Sequence, residues 1–152
     1  MKGRNLAITL IVALSIGIFS FTGCLRAAEV DSAYQSIAEG AKQMMDGSQK
    51  IMEKMAKKGK MDEELTSADK MMKQGYEMIM KGQGMLATNK AEAKTMASQG
   101  GKMMLDAQKK IAVEVEKKGM VQECNLDYTV CKAGEEKIKT GALNWFFAAP
   151  GF

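Results

Sequence analysis

The chemistry this chain could do is sulfur chemistry. Of its 152 residues, 15 are Met, and six of these stand in adjacent pairs: Met44 with Met45, Met71 with Met72, and Met103 with Met104. The steps from Met52 to Met55 and from Met78 to Met80 could also place sulfurs side by side. A thioether is a soft ligand, suited to Cu(I) or Ag(I). Three Cys accompany them: Cys24, Cys124 and Cys131. The chain has no His, so it lacks the commonest general base and the commonest metal ligand together. There is no C-x-x-C, hence no zinc or haem pattern. No phosphate loop is present, because the Gly residues fall within a helical period rather than between a strand and a helix.

The methionines belong to a repeat. Gly40, Lys42, Met44 and Asp46 recur as Gly100, Lys102, Met104 and Asp106, and Lys57-Lys58-Gly59 recurs as Lys117-Lys118-Gly119, at an offset of 60. A third copy lies between them: Met72, Gly75 and Met80 fall on Met44, Gly47 and Met52 at an offset of 28. Each copy reads as one long helix. The first is expected from Ser32, whose S-x-x-Q form with Gln35 is a capping box. Its apolar stripe is Ile37, Ala41, Met44, Ser48, Ile51 and Met55, stepped 4, 3, 4, 3, 4. Lys57, Lys58 and Gly59 close it. The second should start near Asp62, with Glu63 and Glu64 in its first turn, and bury Leu65, Met72, Ile79 and Leu86 interleaved with Ala68, Gly75 and Gly82. The third should start at Asn89 with Glu92 at N3, and carry Ala93, Met96, Ala97, Gly100, Met103, Met104, Ala107, Ile111 and Val115 on its apolar face.

Links of a few residues between helices of similar length imply antiparallel neighbours. The expected fold is all-α: an elongated antiparallel three-helix bundle over residues 32–121, built from a ~30-residue helical repeat. The acid-then-base pairs at i, i+4, such as Asp69 with Lys73 and Glu114 with Lys118, read as solvated helix faces. Only three Leu occur between Ser32 and Gly119. Met therefore stands where a bundle usually carries Leu, and the plain reading of the Met stripe is core.

Ahead of the bundle, Lys2 and Arg4 precede an uncharged, mostly apolar run from Leu6 to Phe21, the length of a signal h-region and short for a membrane span. Thr22-Gly23-Cys24 resembles a bacterial lipoprotein box, although Phe21 stands where Leu is usual. The resemblance implies a signal peptide over residues 1–23, lipidation at Cys24, and a linker over 24–31. The alternative is ordinary cleavage after Ala27. Without Lys2 and Arg4 the formal charge falls from +4 to about +2, too balanced for a nucleic-acid binder.

Residues 122–152 change character. In an oxidising compartment Cys124 and Cys131 would pair as a disulfide. Seven residues of continuous helix separate Cα atoms by about 10.5 Å, too far for a bridge, so that pairing requires a loop. Asn125, Asp127, Thr129 and Val130 suit one. The tail carries the chain's single Trp. Trp145, Phe146 and Phe147 either plug one end of the bundle or form an exposed anchor for a partner or membrane.

The functional expectation is an exported, lipid-anchored, non-enzymatic binding or scaffold protein of the bacterial cell envelope, with no cofactor. It would engage a protein partner or a second copy through its helix faces. The alternative is a periplasmic Cu(I)/Ag(I)-binding protein that uses Met44, Met45, Met71, Met72, Met103 and Met104.

Overall fold

The computed structural model describes the backbone of residues 3–148 and the side chains of residues 30–145. Among the described residues the molecule is all-helical, with four helices where a three-helix bundle and a looped C-terminal segment were expected: α1 (Gly3–Lys57), α2 (Glu63–Met85), α3 (Lys90–Lys117) and α4 (Val121–Ala148). They run up and down with short connections.

The helix ends follow local chemistry. Asp62 caps α2, its side chain accepting from the Leu65 amide at 3.0 Å. Asn89 caps α3 through the Glu92 amide at 3.2 Å, and its own amide donates back to the Glu92 carboxylate at 2.9 Å. Gly59 and Gly119 follow α1 and α3 with φ of 65° and 66°, the left-handed conformation that ends a helix and favours Gly. Ser32 caps nothing. α1 passes through it without a break, and residues 24–31, expected as a linker, belong to the helix. That stretch contains no Gly or Pro to stop it, and its Ala and Glu residues favour helix.

The largest departure is α4. Residues expected to form a disulfide loop are one continuous helix, and Cys124 and Cys131 are free buried thiols two turns apart on one face. Asn125 and Thr129 do not break the helix: the Thr129 hydroxyl donates to the Asn125 carbonyl at 3.0 Å from an exposed position. The buried face is Cys124, Asp127, Cys131, Gly134, Ile138, Gly141 and Trp145. At an offset of 59 this is the face of α2, namely Leu65, Ala68, Met72, Gly75, Ile79, Gly82 and Leu86. Cys131 therefore holds the position of Met72, and Trp145 that of Leu86.

The helices pack most extensively in two pairs, α1 along α4 and α2 along α3. Both pairs close on glycine. A Cβ on Gly40 would lie 2.5 Å from the Gly134 carbonyl oxygen, and one on Gly75 would lie 2.6 Å from the Gly100 carbonyl oxygen. Backbone touches backbone at both crossings. A helical Gly costs about 1 kcal/mol relative to Ala, and the close packing of the neighbouring turns offsets it. The core-facing residues of α1, α2 and α3 are those of the 4, 3 pattern, with Leu86, Met96 and Met103 left partly covered.

Candidate functional site

The Met pairs split, because neighbouring residues on a helix point about 100° apart. Met44, Met72 and Met104 are wholly buried. Met45, Met71 and Met103 are half-buried beside them. Met44 seats over Gly134 of α4, and Met104 over Gly75 of α2. The Cys131 thiol lies 3.6 Å from the Met44 carbonyl oxygen. At the surface, the Lys110 ammonium approaches the Met71 sulfur to 3.5 Å. Among the described residues no group of three Cys, Asp or Glu side chains could hold a metal ion.

Burial also quiets the thiols. It pushes Cys131 up to about 12, and it raises Cys124 against the opposing pull of Lys54. Both stay protonated at neutral pH, and a protonated thiol is a poor nucleophile. Trp145 is no exposed anchor. It is buried, its ring centroid 5.0 Å from that of Tyr34 in an edge-to-face contact. Phe146, Phe147 and the side chain of Cys24 lie outside the described residues.

Tyr34 organises this end of the bundle. It is fully buried, and its hydroxyl donates to the Ile79 carbonyl of α2 at 2.7 Å. Gly82 makes room for that hydroxyl, since a Cβ there would collide with it. Burial raises the phenol to about 12. α1, α2 and α4 thus meet on one ring.

A concavity of about 520 Å³ lies beside this ring, between α3 and α4. Its lining is apolar at Ile37, Ala97, Leu105, Ile138, Ala142 and Trp145. Its rim carries four ammonium groups and one carboxylate: Lys94, Lys102, Lys109, Lys139 and Asp106. Lys139 is paired with Glu135 at 2.5 Å, and Lys109 approaches Asp106 at 3.5 Å. The groove was not foreseen from the sequence, yet its signal is there. At the offset of 60, Lys94 replaces Tyr34, Gly101 replaces Ala41, and Lys109 replaces Gln49. At 59, Lys139 replaces Met80 and Ala142 replaces Gln83. Each change removes bulk or adds positive charge at the α3–α4 seam.

The opposite end is tied by ions. Lys118 of α3 pairs with Asp62 at the α2 cap and reaches Glu114 at 3.4 Å, while Lys117 holds Glu114 at 2.6 Å. Hydrogen bonds from Lys118 and the Leu65 amide lower the Asp62 carboxyl, and those from Lys117 and Lys118 lower Glu114. In the other packed pair, Lys54 of α1 pairs with Asp127 of α4 at 2.5 Å and donates to the Glu123 carbonyl at 2.7 Å. These groups lock helix ends together, and none lines the groove.

Compared with protein families, curated proteins and solved structures, the chain matches none.

Proposed function

We propose that this chain is an exported, lipid-anchored, non-enzymatic binding or scaffold protein of the bacterial cell envelope, held to the membrane through Cys24. The observation that carries the reading is where the methionines sit. Met44, Met72 and Met104 are fully buried and serve as packing volume at positions equivalent to one another and to Cys131. That leaves the helix faces and the α3–α4 groove as the surfaces through which the protein engages others. The Cys124 and Cys131 thiols are buried and the lowered carboxyls of Asp62 and Glu114 are committed to ion pairs, which supports a non-catalytic role.

The second reading is Cu(I) or Ag(I) binding. The observation favouring it is that the buried face carries sulfur at equivalent turns of all four helices: Met44, Met72, Met104 and Cys131. An anaerobic Cu(I) titration against a chromogenic competitor, run on the wild type and on the Met44→Leu/Met72→Leu/Met104→Leu variant, separates the two. A scaffold shows no tight binding in either protein and keeps its fold in the variant. Tight binding that disappears in the variant would replace the scaffold reading with the metal one.

A further inference from the structure

The groove between α3 and α4 has a chemistry narrower than binding in general. Its length along α3, from Lys94 to Lys109, is about 22 Å at 1.5 Å per residue. Its volume of about 520 Å³ is that of a small-molecule site. The apolar residues form the bottom: Ile37, Ala97, Ile138 and Trp145 are all buried. The rim above them is lysine. A long narrow trough of this kind matches one extended alkyl chain below and a negative head group above.

The contrast with the α1–α2 seam gives this arrangement its weight. There the position of Lys94 is filled by Tyr34, which closes the seam through its bond to the Ile79 carbonyl. The same seam has one rim cation, Lys42, beside Asp46; Lys94, Lys109 and Lys139 have Tyr34, Gln49 and Met80 as counterparts. The groove therefore opens where Tyr34 fills its twin, and it acquires three lysines as it opens, of which Lys139 is held by Glu135 and Lys109 lies near Asp106. Burying an apolar chain contributes roughly 25 cal/mol per Å² removed from water. The ammonium ring then selects the sign of the head group. A partner helix would need apolar side chains standing on the rim, and here the rim is charged.

We infer that the α3–α4 groove binds a single-chain anionic amphiphile, a long-chain fatty carboxylate, with its alkyl chain along Trp145 and Ile138 and its carboxylate among the lysines of α3. This assignment rests on the binding-protein reading and gives that reading a ligand class.

Trp145 is the chain's single Trp and lies on the groove floor, so its emission reports occupancy directly. The full-length chain is titrated with palmitate below its micellar concentration. Hexadecyltrimethylammonium, a neutral alkyl maltoside and an acidic amphipathic peptide are titrated in parallel. The expected result is a saturable shift of Trp145 emission with palmitate. Affinity should be at least about tenfold weaker for the cationic analogue and for the Lys102→Gln/Lys109→Gln variant, whose thermal midpoint should match the wild type. The Lys94→Tyr/Ala142→Gln variant, which restores the residues of the closed seam, should lose the response while remaining folded by circular dichroism. Equal affinity for the cationic chain, unchanged affinity in the double Lys variant, or a response to the peptide alone would overturn the assignment. So would no response to any probe, and that outcome, with no Cu(I) bound, leaves the scaffold reading standing. Tight Cu(I) binding lost in the triple Met→Leu variant would instead remove the scaffold reading itself.

Discussion

The α1–α2 and α3–α4 hairpins are built on one pattern and end in different states. Both place Gly, Met and Ile at the same steps and close against each other through Gly–Gly crossings. In the first hairpin Tyr34 seals the seam. In the second, Lys94 stands in its place and a groove stays open. The shared pattern sets the bundle, while a handful of seam positions outside it decide whether the seam between two helices is filled or open.

Making the hairpins alike from the closed side should have the largest effect. Tyr34→Lys removes a fully buried ring, its contact with Trp145 and its bond to the Ile79 carbonyl. Loss of a buried aromatic typically costs about 3–5 kcal/mol, so urea unfolding should show a drop of that order. Lys94→Tyr lies on the groove rim and should change stability far less. If the two exchanges cost the same, Tyr34 is not what distinguishes the seams.

Next come the crossings, where the hairpins should respond alike. Gly40→Ala drives a methyl to within 2.5 Å of the Gly134 carbonyl oxygen, and Gly100→Ala does the same to Gly75. Backbone on both sides leaves no flexible side chain to yield. Overpacking costs about 1–3 kcal/mol, and the helix-propensity advantage of Ala, about 1 kcal/mol, offsets part of it. Each variant should lower the thermal midpoint, by similar amounts at the two crossings. Tolerance at one crossing alone would show that the two pairs are not packed equivalently.

Much of this was legible in the residues, for a physical reason. A buried helical face must step 4 and 3, and α1, α2 and α3 step so with Met, Ile, Ala and Gly, types that read as core. α4 steps the same way, but with Cys124, Asp127 and Cys131 in the first three places. Asp127 at a core position is tolerated because Lys54 reaches it from α1, a contact invisible along the chain. The expected three-helix bundle and disulfide loop both failed at that point. The groove was hidden differently. It arises from departures between copies at seam positions, such as Lys94 against Tyr34, and a search for similarity passes over departures.

Acid should loosen the ion-tied end. Hydrogen bonds from lysine, and for Asp62 also the Leu65 amide, hold the Asp62 and Glu114 carboxyls below their ordinary values of 3.8 and 4.5. A depressed carboxyl contributes stability that is fully present above its unfolded value and lost as pH falls through its folded one. Thermal midpoints should therefore decline as pH drops below about 4. Asp62→Asn keeps an oxygen to cap α2 but removes the charge, so its midpoint should start lower and fall less steeply. An unchanged slope would remove Asp62 from this account.

Gln108 offers a smaller test in the opposite direction. It is buried at the place where α1 has Ser48, yet neither end of its amide has a hydrogen-bond partner among the described residues. Ser48 satisfies itself by donating to the Met45 carbonyl at 2.9 Å. An unpaired buried amide costs about 1–3 kcal/mol, so Gln108→Leu, similar in size, should raise stability by about 1 kcal/mol. A loss would mean that this amide is paired in solution.

The smallest effect belongs to a Gly that neither hairpin uses. Gly84 lies in the last turn of α2, exposed, with nothing within 4 Å of an added Cβ. Its counterpart in α4 is Leu143, also exposed. Without a crossing to serve, it carries only the entropic cost of Gly in a helix, so Gly84→Ala should stabilise by about 0.5–1 kcal/mol. The sign matters more than the size. Gly40→Ala and Gly84→Ala make the same chemical change, and opposite shifts in thermal midpoint would show that the glycines of the stripe are kept for contact between helices. A shift downward at both would mean that α2 needs a flexible last turn, and the close-packing account of the crossings would lose its control.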